Sequence, residues 1–216
     1  MIAVAVVVPP ALVVNALRVL ATETFTRWEV GRTNDPNGLS REHRKELAVL
    51  GLESIRPRSS GVQLLEQARL PDGSRAFDER ELSHMRDVRR VFGAALLAQL
   101  VALAAVAALA LALFRTRLRA AVPRALLAGA LATLAVAALA VPVILLGFDG
   151  FFTRFHEVFF QGDSWRFSDT DTLIRVYPEA FWVDVSRFAA ALTVAQAILV
   201  AVAAWLWLRA MRRRHG

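Results

Sequence analysis

The sequence has no cysteine, which removes disulfides, thiol nucleophiles and cysteine-ligated metals from consideration. It has one lysine, Lys45, among 26 basic residues, a bias attributable to genome composition rather than to mechanism. No glycine-rich phosphate loop, no G-x-S-x-G elbow and no H-E-x-x-H pair occurs anywhere in the chain. Those absences count against ATPase, serine-hydrolase and zinc-helix chemistry. Charged residues are missing from the middle of the long apolar runs, which counts against an ion-coupled transporter or a small-molecule permease.

What is present is apolar. Hydrophobic residues make up 56% of the 216, and the net charge is +7. The composition points to an α-helical polytopic membrane protein, and four long runs carry it. Residues 1–21 open apolar at once, with no basic segment ahead of the run and with Pro9 and Pro10 inside it. This suits a kinked first span, with Arg18 reaching to the interface, better than a cleaved signal peptide. Residues 90–114 form the second span, 125–147 the third, with Pro142 as a bend, and 183–208 the fourth, ending in Trp205 and Trp207 at an interface. Each run approaches or exceeds the roughly 20 residues that cross a hydrocarbon core of about 30 Å.

The polar pieces between the spans differ in charge. Residues 22–89 hold twelve basic and twelve acidic side chains. In this first part of an extracytoplasmic cap, Phe25, Trp28 and Val30 suggest a short strand over 25–33, so a small mixed α+β cap is expected. Asn34-Asp35-Pro36-Asn37-Gly38 reads as a turn. Ser40 caps a helix to about Leu50, with Leu47 and Leu50 on its buried side, and Asp78-Glu79-Arg80-Glu81 has capping-box spacing. The loop 115–124 carries Arg115, Arg117, Arg119 and Arg124 with no acid, and the tail 209–216 is equally basic, with contact to anionic lipid as a further use for these clusters. The segment 148–182 has three arginines against six acids. The positive-inside rule then places loop 115–124 and both termini in the cytoplasm, and 22–89 and 148–182 outside it.

Residues 148–182 form an aromatic loop around one histidine, His156. Phe148, Phe151, Phe152, Phe155, Phe159, Phe160, Trp165, Phe167, Tyr177, Phe181 and Trp182 are interleaved there with acids. An interfacial belt would account for some of these rings, but the density better fits an apolar wall for acyl chains. His84 lies about as far before the second span as His156 lies after the third, on a helical face shared with Asp87, Val88 and Val91. Imidazole suits proton transfer near neutrality. The plainer reading keeps both as interfacial histidines bonded to carbonyls or headgroups. His43 and His215 read as solvated. No ligand spacing calls for a metal or another cofactor, and the basic residues form no nucleic-acid face.

Two blocks of residues carry a resemblance. Glu81-Leu82-Ser83-His84-Met85-Arg86-Asp87-Val88 is similar to the E-x-x-H-M-x-D-V signature of a family of bacterial integral membrane proteins that includes the lipoprotein intramolecular transacylase. Phe155-His156-Glu157-Val158-Phe159-Phe160, with Asp163-Ser164-Trp165, Asp171-Thr172-Leu173-Ile174, Tyr177-Pro178-Glu179 and Phe181-Trp182, resembles its second signature. The resemblance covers essentially the whole chain. It implies four transmembrane helices under an extracytoplasmic cap in the bacterial cell membrane. It also implies a diacylated lipoprotein as partner, whose sn-2 acyl chain moves to the α-amino group of the N-terminal cysteine. His84 and His156 are the catalytic pair it implies, with Met85, Asp87 and Asp171 as supporting residues. Asp87 or Asp171 either orients an imidazole or is structural, and the sequence leaves both open. Phe155, Phe159, Phe160, Trp165, Tyr177, Phe181 and Trp182 are the expected substrate wall. The competing expectation is a non-enzymatic membrane protein whose cap binds lipid or a partner protein.

Overall fold

The computed structural model describes residues 2–35, 38–114, 116 and 118–213, and among these every regular element is a helix. In chain order they are α1 (Ile2–Leu20), α2 (Glu23–Arg32), α3 (Arg41–Ile55), α4 (Gln63–Glu66), α5 (Glu79–Phe114), α6 (Ala121–Leu146), α7 (Phe148–Phe159), α8 (Thr172–Val176) and α9 (Glu179–Arg213). The centre of the expected turn (Pro36, Asn37), the expected loop arginines Arg115 and Arg117, and His215 of the tail lie outside the described residues. Helices α1, α5, α6 and α9 are long and apolar enough to cross a membrane, so the chain is a multi-pass membrane protein.

The chain divides into two units. One comprises Met1–Arg18, Leu96–Leu146 and Arg187–Gly216, and the other Val19–Ala95 and Gly147–Ser186. The first is built from apolar helices, where small residues and sparse polar bonds do the joining. Gly129 on α6 lies so close to α1 that a β-carbon there would stand 2.7 Å from Val8 Cβ and 2.8 Å from the Ala5 carbonyl oxygen. Asn15 Nδ2 donates to Gln196 Oε1 at 2.5 Å, joining α1 to α9. Gln99 Nε2 donates to the Ala11 carbonyl at 2.8 Å, and its own carbonyl accepts from Arg18 at 3.3 Å, joining α1 to α5. In hydrocarbon an unpaired amide would cost several kcal/mol, so these pairs fix which helix faces meet.

The second unit corrects two expectations. Residues 25–33 are not a strand: they lie largely in α2, capped by Thr22, whose Oγ1 accepts the Phe25 N–H. The apolar side chains at 25, 28 and 30 give an ambiguous period. The residues that face inward are Thr26, Glu29 and Val30, at helical spacing, and Glu23 pairs with Arg27 one turn on at 2.7 Å. The cap is therefore helical rather than mixed. Among the described residues its one β-type contact is an isolated bridge between Arg69 and Arg75, around a turn where Gly73 takes φ 85°. The aromatic segment is likewise mostly helix, in α7, α8 and the start of α9.

This unit has one apolar core, in which Val30, Leu47, Leu65, Phe77, Leu82, Met85, Leu173, Val176 and Phe181 are all buried. Ser40 caps α3 by accepting the His43 N–H, which turns Leu47 into that core. Arg44, also on α3, is 1% exposed and spends its guanidinium on oxygens. It donates to Thr33 O at 2.7 Å, Thr33 Oγ1 at 2.9 Å and Arg175 O at 2.9 Å, and so holds the end of α8 against α3. His43, expected to be solvated, is half-buried, with Nδ1 3.7 Å from Glu46.

Candidate active site

The approach to His84 starts at the first turn of α5. Asp78 and Glu81 close a reciprocal capping box: Asp78 Oδ1 accepts the Glu81 N–H at 2.8 Å, and Glu81 Oε2 accepts the Asp78 N–H at 2.7 Å. The other Glu81 oxygen accepts the Leu173 N–H at 2.7 Å. The first turn of α5 is thereby tied to α8, and Leu82 and Met85 are driven into the core. His84 then faces the rings of Phe160 at 4.8 Å and Phe167 at 5.4 Å, and is 8% exposed.

His156 comes from the last turn of α7. Phe148, Phe151, Phe152, Phe155 and Phe159 fall along one side of this helix, and Asp149, Arg154 and Glu157 along the other. A surface cleft of about 400 Å³ is lined by Asp149, Gly150, Thr153, Arg154 and Glu157, and no ring of the histidine cluster lines it. His156 Nδ1 lies 2.7 Å from the Phe152 carbonyl. A carbonyl only accepts, so Nδ1 carries the proton and, in the neutral ring, Nε2 carries the lone pair. The His156 carbonyl in turn accepts the Phe160 N–H at 2.8 Å, which ends α7 and sets the Phe160 ring against both imidazoles.

The two imidazoles stack with centroids 6.1 Å apart and planes 24° from parallel. Around His156 stand Phe152 at 4.1 Å, Trp165 at 4.7 Å, Phe160 at 5.4 Å and Phe155 at 5.5 Å. Burial lowers the His84 pKa to about 4, reinforced by His156 and opposed by the Asp87 charge. Burial also lowers that of His156, against the opposing hydrogen bond to Phe152. Both rings are therefore neutral near pH 7 and able to accept a proton.

The other expected residues sort by position. Phe159 touches Phe155 at 4.9 Å and is 47% exposed. Tyr177, Phe181 and Trp182 form an adjoining cluster that reaches the histidines through Phe152, 6.4 Å from Trp182. The Tyr177 hydroxyl donates to the Ala48 carbonyl at 2.7 Å, directing that end toward α3. Met85 is a core residue one position from His84. Asp87 pairs with Arg90 at 2.6 Å, and acts on His84 through charge. Asp171 accepts the Ser168 N–H at 2.7 Å and pairs with Arg80 at 3.4 Å, so it organises the turn before α8. Neither carboxylate has a hydrogen bond to an imidazole among these contacts. Phe152 and Phe167, which belong to the aromatic segment but not to the seven residues expected to contact substrate, are first neighbours of the two histidines. The signal for Phe152 was its spacing: four residues before His156, it occupies the same helical face, once 148–159 is read as helix.

Comparison with known proteins follows the same residues. A family model described as "Lipoprotein intramolecular transacylase Lit" matches residues 57–182, which include both histidines. An uncharacterized protein of Aquifex aeolicus (strain VF5) is 33% identical over 85% of this chain and 82% of its own length. Among solved structures, the membrane integral lipoprotein intramolecular transacylase Lit of Bacillus cereus superposes with a TM-score of 0.81 at 16% identity, covering 98% of this chain and 95% of that one. A form of the same Bacillus protein with a histidine-to-alanine substitution superposes with a TM-score of 0.73 at 17% identity, covering 98% and 93%. The superposition spans the four apolar helices of this chain, so the two proteins share a fold.

Proposed function

We propose, from the premise that this chain belongs to the lipoprotein intramolecular transacylase family of membrane enzymes, that its reaction moves an acyl chain within one lipoprotein molecule. The substrate is a lipoprotein whose N-terminal cysteine carries a diacylglyceryl thioether. The sn-2 chain passes to the α-amino group of that cysteine, giving an N-acyl lyso-lipoprotein. The observation that carries this reading is the pair of neutral imidazoles stacked inside an aromatic cluster.

The chemistry needs little more. The free amine attacks the ester carbonyl, a C–N bond forms, and the nitrogen becomes acidic as it gains positive charge. A neutral imidazole accepts that proton, and the glycerol oxygen takes a proton as the C–O bond breaks. His156 is suited to the first transfer because Nδ1 is engaged by Phe152, leaving Nε2 as acceptor. His84 completes the exchange by passing to the glycerol oxygen the proton that His156 has taken from the amine, so both imidazoles end neutral. No protein nucleophile is consumed, in keeping with a chain that has no cysteine and no serine elbow.

Amine and ester belong to one molecule, so positioning supplies much of the rate. Well-oriented intramolecular reactions gain up to about 7–11 kcal/mol. Phe152, Phe155, Phe160 and Trp165 would fold the acyl chains so that amine and ester meet, and would exclude the water that competes for the ester. The half-exposed Phe155 and Phe159 suit contact with lipid chains. The charge asymmetry between the loops supports a site on the extracytoplasmic side and both termini in the cytoplasm.

Product and substrate are isomers, so total mass is blind to the reaction and fragmentation decides it. Tandem mass spectrometry of a diacylglyceryl lipopeptide after exposure to the protein should yield N-terminal fragments bearing an amide-linked chain. Fragments with both chains still on glycerol would refute the reading.

A further inference from the structure

Two buried nitrogens in the aromatic cluster have no hydrogen-bond partner among the described residues: Nδ1 of His84 and the indole Nε1 of Trp165. The second is the more informative. Trp165 is 8% exposed, and its ring stands 4.7 Å from His156 and 6.4 Å from Phe152. An indole N–H is a donor only, and it cannot be satisfied by changing tautomer as an imidazole can. Leaving it unpaired carries a desolvation penalty that a phenylalanine in the same wall would not. Buried Trp N–H groups ordinarily find an acceptor. Nor is this ring there only to be covered, since Arg166 already lies 5.2 Å over its face.

The established needs of acyl transfer supply the missing acceptor. Resting on the reaction given above, we infer that the Trp165 indole N–H donates to the carbonyl oxygen of the migrating acyl group and stabilises the negative charge that oxygen gains when the amine adds. The step balances without another reactant. As the C–N bond forms, the carbonyl π pair moves onto oxygen, where the N–H receives it. When the C–O bond to glycerol breaks, the pair returns and the hydrogen bond relaxes. The Trp165 ring is a neighbour of His156 at 4.7 Å, so a proton acceptor and an oxyanion donor would serve the same carbonyl group. That is the arrangement required if nitrogen and oxygen change charge together. Trp165 is thus assigned a polar task beyond its place in the apolar wall.

Trp165→Phe keeps an aromatic wall and removes the N–H. Measured on a diacylglyceryl lipopeptide with full-length protein in lipid vesicles, kcat should fall about a hundredfold with KM nearly unchanged, as for loss of one oxyanion donor. Trp165→His, which restores a ring N–H, should recover part of that loss. A purely packing role predicts instead a raised KM with kcat retained, and kcat within about threefold of wild type overturns the assignment. A wild-type protein that transfers no chain removes both this inference and the function it rests on. An active wild type with an indifferent Trp165→Phe removes this one alone. Should Trp165→Phe fail to fold, indole ¹⁵N–¹H spectra of the wild type decide the matter, with Trp28, Trp182, Trp205 and Trp207 assigned by their own phenylalanine variants. Adding a lipopeptide whose sn-2 ester is replaced by an unreactive amide should move the Trp165 indole proton downfield. An unmoved signal with the ligand bound contradicts the hydrogen bond.

Discussion

One carboxylate oxygen of Glu81 accepts the backbone N–H of Leu173 at 2.7 Å, while the other closes the capping box on Asp78. That side chain has three structural roles: it starts the helix bearing His84, it anchors α8, and through α8 it sets the segment leading from Trp165 to the Tyr177 cluster. The carboxylate is 2% exposed at the residue level, and its burial pushes its pKa up against the two N–H donors that favour its charge.

Glu81→Gln replaces one acceptor oxygen with an amide that itself donates, leaving a backbone N–H facing a donor. A loss of about 1–3 kcal/mol of stability is expected, with a lower thermal unfolding midpoint in detergent. Activity should fall with it, because His84 lies one turn further along the same helix. An unchanged midpoint contradicts the described role.

Gly129→Leu should be worse tolerated than any exposed substitution on α6. Even a β-carbon there meets Val8 Cβ at 2.7 Å and the Ala5 backbone at 2.8 Å. Overpacking of this kind costs about 1–3 kcal/mol, and backbone on one side leaves little room to yield. The thermal midpoint of the purified variant measures it, with Leu131→Ala on the exposed side of α6 as the control that should stay near wild type.

Acid should weaken the wild type more than His84→Phe. The His84 pKa is about 4 in the folded protein, against an unfolded value of about 6.5. A depressed histidine pKa places no burden on stability above pH 7. The burden grows as pH falls below 6.5, because the unfolded chain binds the proton first, and it is complete below about 4. It amounts to roughly 3 kcal/mol at 1.36 kcal/mol per unit. Carboxylate effects are common to both proteins, so the difference in unfolding midpoint between pH 7 and pH 4 isolates the histidine. Equal losses would show that His84 is not buried neutral.

His84→Ala and His156→Ala should each lower acyl transfer by about 10²-fold or more, the usual scale for a lost acid–base group. Both should still partition to the membrane fraction, since neither histidine lies in an apolar run. Full activity in either variant contradicts the assigned proton transfers.

Much of this architecture was legible because membrane spans and caps are written in local patterns. Four apolar runs, the charge of the pieces between them, Ser40 and the Asp78–Glu81 box each depend on neighbours in sequence. What was misread depends on period or on distant partners. Phe25, Trp28 and Val30 resemble a strand until the inward face is known to be Thr26, Glu29 and Val30. Phe152 is one of many rings around His156 in the sequence, and its place directly beside that imidazole follows only from the helix over 148–159. The tasks of Asp171 and Tyr177 were hidden because their partners, Arg80 and Ala48, lie far away in the chain. The unpaired indole of Trp165 has no sequence signature at all.

The intramolecular transfer itself is open to one direct test. Two diacylglyceryl lipopeptides of different peptide sequence, only one with a deuterated sn-2 chain, are mixed with the full-length protein and fragmented by tandem mass spectrometry. The account predicts that each sn-2 chain appears as an amide on the amine of its own peptide, with no deuterium crossing between them. Chains remaining on glycerol, or deuterium on the unlabelled peptide's amine, would contradict it.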